Sequence, residues 1–396
     1  MMQIELGKSV ELVTKGTTPT SLSEKFTKSG IKFLRAQNVV DGKVLIDDDI
    51  LFIDNETHNS KLKRSQIIKG DVLLTIAGTI GRTAIVEIDE ELNCNQAVAI
   101  IRLGNSQIHP NFLCHFFASN SAQSQFTIGK VTATIPNLSL SQIKKLKIPL
   151  PPLPQQKKIA SILDIADDYR QKTKALIAKY DELTQSLFLD MFGDPVTNPK
   201  GWEKIPLGKL SERIVVGHVG PTSDGYTEFG IPFLRTQNVR PNFINYNDLA
   251  QITSEFHNKL KKSQIFAKDI LISRVGVNRG MAAVVPDDLN EANCANVVIV
   301  GNTKFLNSYY LSFFLNKSFG TKPEYGYSVG SAQGVVNTSI VKKWPVFNAS
   351  LELQNQFADR VQAIEAQKAQ AQESLAKAED LFNSLLQKAF KGELTN

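Results

Sequence analysis

The chain has 396 residues, a net charge of +6 and a pI near 9.0, with 42% hydrophobic and 21% charged residues. That length exceeds one ordinary core and points to two domains, and the composition is that of a globular chain rather than a disordered or fibrous one. No apolar run approaches the roughly 18 residues of a membrane span, the opening MMQIELGKSV has no export-signal core, and three cysteines, Cys94, Cys114 and Cys294, are too few for a disulfide framework, so a reducing cytoplasm is expected.

In chain order, the first 150 residues hold short aliphatic and β-branched runs, among them Val72–Ile76, Thr83–Ile88 and Ala97–Leu103, broken by glycines and polar clusters. That pattern predicts strands joined by turns, with a helix around Asn111–Ser124. PLPPLPQQ (Pro149–Gln156) then breaks the chain stiffly. From Gln155 to Phe192 there is neither proline nor glycine. Apolar or permissive residues there fall at Ile159, Ile162, Ala166, Tyr169, Thr173, Leu176, Tyr180, Leu183 and Leu187, alternating three and four apart, which predicts a long helix with a coiled-coil seam. At 1.5 Å per residue such a rod is about 57 Å long.

A second strand-rich stretch follows, with runs at Ile270–Ser273, Ala282–Val285 and Val297–Val300 and a helix around Ser308–Lys317. A second long helix is predicted from Leu351 to near Phe390. Its seam is Phe357, Val361, Ile364, Ala371, Leu375, Ala378, Phe382, Leu385 and Ala389, interrupted by Lys368.

The halves repeat one another. Ile31–Val39 (IKFLRAQNV) returns as Ile231–Val239 (IPFLRTQNV), His58–Ile67 as His257–Ile265, Gly70–Gly78 as Lys268–Gly276, Leu92–Ile101 as Ala292–Val300, Asn137–Leu140 as Asn337–Ile340 and Leu6–Lys8 as Leu207–Lys209. The offset stays between 198 and 201, so the chain is a duplicated unit. The expected fold is α+β: two homologous recognition-type domains, 1–150 and 194–348, separated by long helices within 151–193 and 349–396. The helices are expected to pack as an antiparallel coiled coil in a pseudo-two-fold repeat. The alternative is that each helix packs only on its own domain.

Charge segregates. Gln155–Phe192 carries six basic and six acidic residues and Gln354–Lys391 five of each, so the +6 excess lies outside the rods, as a two-headed reader of a polyanion would show. Candidate DNA contacts fall in three groups. Arg35, Gln37, Asn38 and their repeats Arg235, Gln237 and Asn238 are residue types that read guanine or adenine. Their recurrence in both heads equally suits a shared framework strand. Lys61, Lys63, Arg64 and Lys259, Lys261, Lys262 suit sequence-blind phosphate contacts or a solvated face. Base readout is expected where the copies diverge: Thr79 and Arg82, Arg274 and Arg279, Lys130, Thr132 and Thr134, and Ser331 and Gln333.

FLRxQNV, the [GK]D[VI]L[LI] run before a glycine turn, PLPPLPQQKKIA and the LFLDMFGDP junction at Leu187–Pro195 together resemble the specificity subunit of Type I restriction–modification systems, over essentially the whole chain. The resemblance implies a subunit that catalyses nothing. Each domain would read one half of a split, asymmetric target in double-stranded DNA. The helices would set the spacing and dock two methyltransferase subunits that use S-adenosylmethionine, and restriction subunits using ATP and magnesium would join that core. The second helix departs from the pattern: FNASLELQNQ stands where the first has PPLPQQ.

Catalytic motifs fail on inspection. Gly7–Ser9 (GKS) lacks the first glycine of a phosphate loop, Met2 standing there. The five histidines (His58, His109, His115, His218, His257) are scattered, so no metal is expected, and Cys94 and Cys294 match each other as core residues. The competing readings are a self-contained enzyme that modifies or cuts DNA, and a coiled-coil scaffold whose heads bind protein.

Overall fold

A computed structural model describes residues 3–40, 42–127, 137–289, 291–303, 305–319 and 335–394. The fold is mixed helix and sheet, in two compact units: Met1–Ala175 with Gln372–Asn396, and Leu176–Ala371. Each long helix contributes one part to each unit.

In unit 1, strand β1 (Leu12–Lys15) begins the main sheet, followed in sequence by β2 (Ile31–Leu34), β3 (Leu51–Ile53), β4 (Val72–Thr75), β5 (Thr83–Ile85), β6 (Leu92–Cys94) and β7 (Val98–Arg102). The main sheet runs β1–β7–β4–β5, all antiparallel, and is extended by Gly42–Val44 and Val39–Val40. A three-stranded sheet runs β3–β2–β6, its β2–β6 pair parallel with Leu34 opposite Cys94. β4 is buried at every residue and β7 at all but Arg102, which is why they read as continuous apolar runs rather than alternating ones. Helix α1 (Pro110–Ala118) covers this sheet, and proline at its first position suits the helix start. The expected helix to Ser124 breaks at Ser119 and resumes as Asn120–Thr127. Helix α2 (Leu153–Phe192) follows.

Unit 2 reuses the plan with β8 (Ser211–Val216), β9 (Ile231–Leu234), β10 (Ala250–Ile252), β11 (Ile270–Ser273), β12 (Ala282–Val284), β13 (Ala292–Cys294), β14 (Val297–Thr303), helix α3 (Ser308–Phe319) and helix α4 (Leu351–Lys391). The sheet order β8–β14–β11–β12 matches β1–β7–β4–β5, and β9–β13 is again parallel, Leu234 opposite Cys294.

Both long helices end alike. Gly193 and Gly392 adopt φ of 78° and 85°, and the Gly193 N–H donates back to Leu189 O at 2.8 Å, a left-handed stop that a Cβ would strain.

Within each unit the helices run antiparallel and share its core. In unit 1, Ile159, Ala160 and Leu163 of α2 join Phe382, Leu386 and Ala389 of α4, Arg170 lies 4.4 Å from the Phe382 ring centre, and Lys174 pairs with Glu379 at 3.2 Å. In unit 2, Phe188 and Phe192 of α2 meet Phe357 of α4 edge-on at centroid distances of 5.6 and 5.5 Å, and Asp181 pairs with Lys368. Such aromatic pairs add about 0.5–1.5 kcal/mol each beyond burial.

Along α4, Phe357, Val361, Ala371, Ala378, Phe382, Leu386 and Ala389 are buried and Ile364, Leu375 and Leu385 half-buried. The α2 seam needs correction. Ile159, Ala166, Thr173, Tyr180 and Leu187 are buried or half-buried as expected, and Ile162 is half-buried. Tyr169, Leu176 and Leu183, however, are 56%, 43% and 51% exposed. Each helical pair is completed four residues on rather than three, at Leu163, Arg170, Ile177 and Thr184. At Leu183 apolarity pointed to the leucine where Thr184 is the buried residue, but a buried threonine costs little in a helix. Thr173 and Thr184 donate their hydroxyls to the carbonyls of Tyr169 and Tyr180, at 2.8 and 2.9 Å.

Candidate nucleic-acid interface

The repeated FLRxQN segment turns out to be a brace. In unit 1 the Asn38 side chain is fully buried; its Oδ1 accepts from the Arg35 N–H at 2.9 Å and its Nδ2 donates to Leu45 O at 3.0 Å. Asn238 repeats both bonds, with Arg235 N–H at 2.9 Å and Asn245 O at 2.9 Å. These amides close a turn and have no edge left to offer a base, which corrects the reading of Asn38 and Asn238 as base contacts. Arg35 and Arg235 donate to the carbonyls of Asp49 and Asp248, at 2.7 and 2.6 Å. Gln37 and Gln237 are exposed at the same turn.

In unit 2 this turn supports the loop that joins β11 to β12. In unit 2 that loop runs from Arg274 to Met281. Thr236 O, inside the repeated motif, accepts from Asn278 Nδ2 at 3.1 Å and Ser273 Oγ at 3.3 Å, and Arg240 donates to Asn278 Oδ1 at 2.7 Å. The Gly280 N–H closes the loop onto Ser273 O at 2.8 Å, and the Val336 N–H bonds Arg274 O at 3.1 Å. In unit 1 the loop from Ile76 to Arg82 closes similarly: Gly81 N–H to Thr75 O at 3.0 Å, Arg82 N–H to Thr75 Oγ1 at 3.0 Å, and Leu138 N–H to Ile76 O at 2.8 Å. Gly78 and Gly276 stand at matching places with φ of 72° and 76°. Thr79 and Arg82 are exposed, Arg274 is half-buried, and Arg279 is only 7% exposed, so its guanidinium is not presented at the surface as expected. The expected contacts Lys130, Thr132, Thr134, Ser331 and Gln333 lie outside the described residues.

The basic candidates are exposed. Lys61 pairs with Glu24, Arg64 donates to Thr17 Oγ1 at 3.0 Å, and Lys259 pairs with Glu255 at 2.7 Å on its own helix. Lys63, Lys261 and Lys262 are exposed at matching turns. His58 and His257, beside them, are core residues. Burial pushes the His58 imidazole below its ordinary pKa against the raising effect of Glu91, and its Nδ1 lies 3.2 Å from Asn93 Nδ2. Cys94 and Cys294 are fully buried and burial pushes their thiols up; Cys114 is pushed up to about 12. No group of three or more metal-ligating side chains occurs among the described residues, and no helix there is long and apolar enough to cross a membrane.

Sequence reasoning missed two devices that hold the sheet-bearing parts of the units to the long helices. Gln156 of α2 and Gln354 of α4 are buried and bonded identically. Their Oε1 atoms accept from the His109 and Asn307 N–H groups at 2.9 Å each, and their Nε2 atoms donate to Pro151 O and Ala349 O at 2.8 Å each. The missing PPLP before α4 therefore changes nothing in this contact. The common spacing of Leu153 to Gln156 and Leu351 to Gln354 was the available signal. The second device is confined to unit 1. Asp164 of α2 accepts from Asn111 at 2.8 Å and lies 2.7 Å from His115 Nε2. Burial raises the Asp164 pKa, but these bonds and the charges of His115 and His109 hold it below its ordinary value.

Each unit thus presents a different tip on the loop between two adjacent strands of its main sheet. Residues 3–181 match the Type I restriction modification DNA specificity domain. Over nearly its whole length the chain is similar to Type I specificity subunits. It is 24% identical to the EcoBI specificity subunit of Escherichia coli, over 98% of this chain and 85% of that one. It is 25% identical to the putative MjaX specificity subunit of Methanocaldococcus jannaschii, over 91% and 86%. In structure it resembles a chain of a type I R-M system (TM-score 0.58, 19% identity, 99% and 98% covered). It also resembles the Type I S subunit of M. genitalium (TM-score 0.55, 14%, 98% and 96%). The resemblance read from the sequence stands.

Proposed function

We propose that this chain is the DNA sequence-specificity subunit of a Type I restriction–modification complex and catalyses nothing itself. Each unit reads one half of a bipartite, asymmetric duplex target. The observation that carries this reading is the repeated brace with non-repeated tips: scaffold residues recur at offsets of 198 to 201 while Val277 stands at the position equivalent to Thr79 and Asn278 at that of Ile80. Readers of two different half-sites need that division, because each base contact discriminates by about 1–3 kcal/mol and two tethered readers add.

In this reading α2 and α4 pair as an antiparallel coiled coil within a pseudo-two-fold repeat, set the spacing of the half-sites and dock two methyltransferase subunits, which restriction subunits join. The apolar positions that α2 leaves unused support the docking role: Ile165 and Tyr169 in unit 1, Leu176 and Leu183 in unit 2. S-adenosylmethionine, ATP and magnesium act in the partners and none in this chain, and the assembly works in the cytoplasm.

Co-expression with the methyltransferase subunit tests it. The expected result is a stable complex that methylates adenine only with this chain present and whose DNA affinity falls steeply with salt. Turnover by the isolated chain with magnesium, ATP or S-adenosylmethionine would contradict it, and a salt-insensitive interaction would favour the protein-binding scaffold.

A further inference from the structure

Val277 is 90% exposed, the most exposed large hydrophobic residue among those described. It is not a loose side chain on a slack loop. Asn278 and Arg279, immediately after it, are 5% and 7% exposed, and Asn278 is pinned between Arg240 and Thr236 O. The Arg279 N–H bonds Gly276 O at 3.2 Å and the Met281 N–H bonds Asn278 O at 3.0 Å, so a tight turn sits directly under Val277. Gly276, at φ 76°, allows the reversal that projects it. One aliphatic side chain is thus held outward by a turn whose next two residues are spent anchoring it. An isopropyl group has no hydrogen bond to offer phosphate or a polar base edge. In the major groove one feature matches it, the thymine 5-methyl group.

The partner position sharpens this. Closure of both loops on the same strand residue, Thr75 in unit 1 and Ser273 in unit 2, aligns Gly78 with Gly276 and Thr79 with Val277. Thr79 and Val277 have nearly the same shape and differ by a hydroxyl against a methyl. Thr79 is exposed too.

Resting on the proposed DNA-reading role, we infer that Val277 is a specificity-determining residue of unit 2 and recognises a thymine through its 5-methyl group in the major groove, the turn from Gly276 to Gly280 holding it there. Removing that methyl forfeits about the burial of one methylene equivalent, a roughly fourfold loss of affinity.

The test uses the assembled complex with its methyltransferase subunits. Its target is first mapped from adenine methylation; uracil then replaces each thymine, one at a time, in duplex oligonucleotides carrying that site. For the wild-type complex, uracil at one position weakens binding about fourfold. The Val277→Ala complex binds thymine and uracil equally at that position, and Thr79→Ala leaves the thymine preference intact. The exposure of Val277 makes loss of folding an unexpected route to these results. Uracil tolerated everywhere by the wild type, a target without thymine, or a Val277→Ala complex that keeps the full thymine preference would overturn the inference while leaving the DNA-reading role standing. A complex that methylates no defined site would instead overturn that role.

Discussion

Unit 1 and unit 2 solve one problem with arginines from different strands. The repeated Asp of the GDVLL and KDILI runs is 1% exposed as Asp71 and 6% as Asp269. In unit 1, Arg102 of β7 binds Asp71 with both ends of its fork, at 2.9 and 2.8 Å, and reaches Gln66 O at 3.1 Å. In unit 2 the position equivalent to Arg102 is Gly301, and the arginine comes from the neighbouring strand as Arg213, which binds Asp269 at 2.8 Å and Gln264 O. The register makes the exchange clear: Arg102 lies opposite Leu12, and Gly301 opposite Arg213. A Cβ on Gly301 would come 2.2 Å from Asp269 Oδ1. Duplication kept the buried carboxylate and its charge partner but not the strand that supplies the partner. What the scaffold conserves is a satisfied buried charge.

The largest expected effect comes from breaking that pair. Arg213→Leu leaves Asp269 buried and uncompensated and should cost about 3 kcal/mol in denaturant unfolding. Gly301→Arg alone should also destabilise, by the clash. Together they give Asp269 an arginine from the strand that supplies it in unit 1; the contact of the new Cβ with Asp269 remains, but a double-mutant cycle should show the pair less harmful than the sum, and strict additivity would refute the equivalence. Next, Gln156→Ala and Gln354→Ala should each cost about 2 kcal/mol, since each orphans buried backbone groups. Equal losses would show that PPLP adds nothing to the latch.

A smaller effect separates the units by pH. Asp164 has a folded pKa below its unfolded value, so its contribution is complete above about pH 4 and is lost as pH falls through the folded value. In unit 2 the aligned place of His115 is held by Phe313, packed edge-on against Phe357 at 5.4 Å. Hydrogen-exchange protection, corrected for the intrinsic rate, should therefore fall in acid at α1 more than at α3, and Asp164→Asn should abolish the difference. The smallest stability effect is expected for Leu176→Lys and Leu183→Lys, within about 0.5 kcal/mol for the isolated chain. The same changes should abolish capture of the methyltransferase subunit.

Much of the fold was legible because periodicity reports burial. The expected run Ile270–Ser273 is strand β11 without change, and the proline- and glycine-free stretches are α2 and α4 within two residues at their starts. The α2 seam differs at Tyr169, Leu176 and Leu183, where the packed neighbours are Arg170, Ile177 and Thr184; hydropathy ranks tyrosine above arginine and leucine above threonine, whereas the Arg170 guanidinium packs on the Phe382 ring and the Thr184 hydroxyl bonds the Tyr180 carbonyl. The Arg102–Arg213 exchange was invisible because no position-by-position match links residues on adjacent strands. For the interface, the sequence marked which loops diverge. It could not show that Asn38 and Asn238 are consumed as braces, nor that Val277 is the residue left standing at the tip.

The most direct test of two independent readers on one chain is to map adenine methylation in cells carrying the complex, before and after the loop 274–281 receives the sequence of 76–82. The account predicts a split, asymmetric motif of which only one half changes. A motif that changes in both halves, or a continuous undivided site, would contradict it.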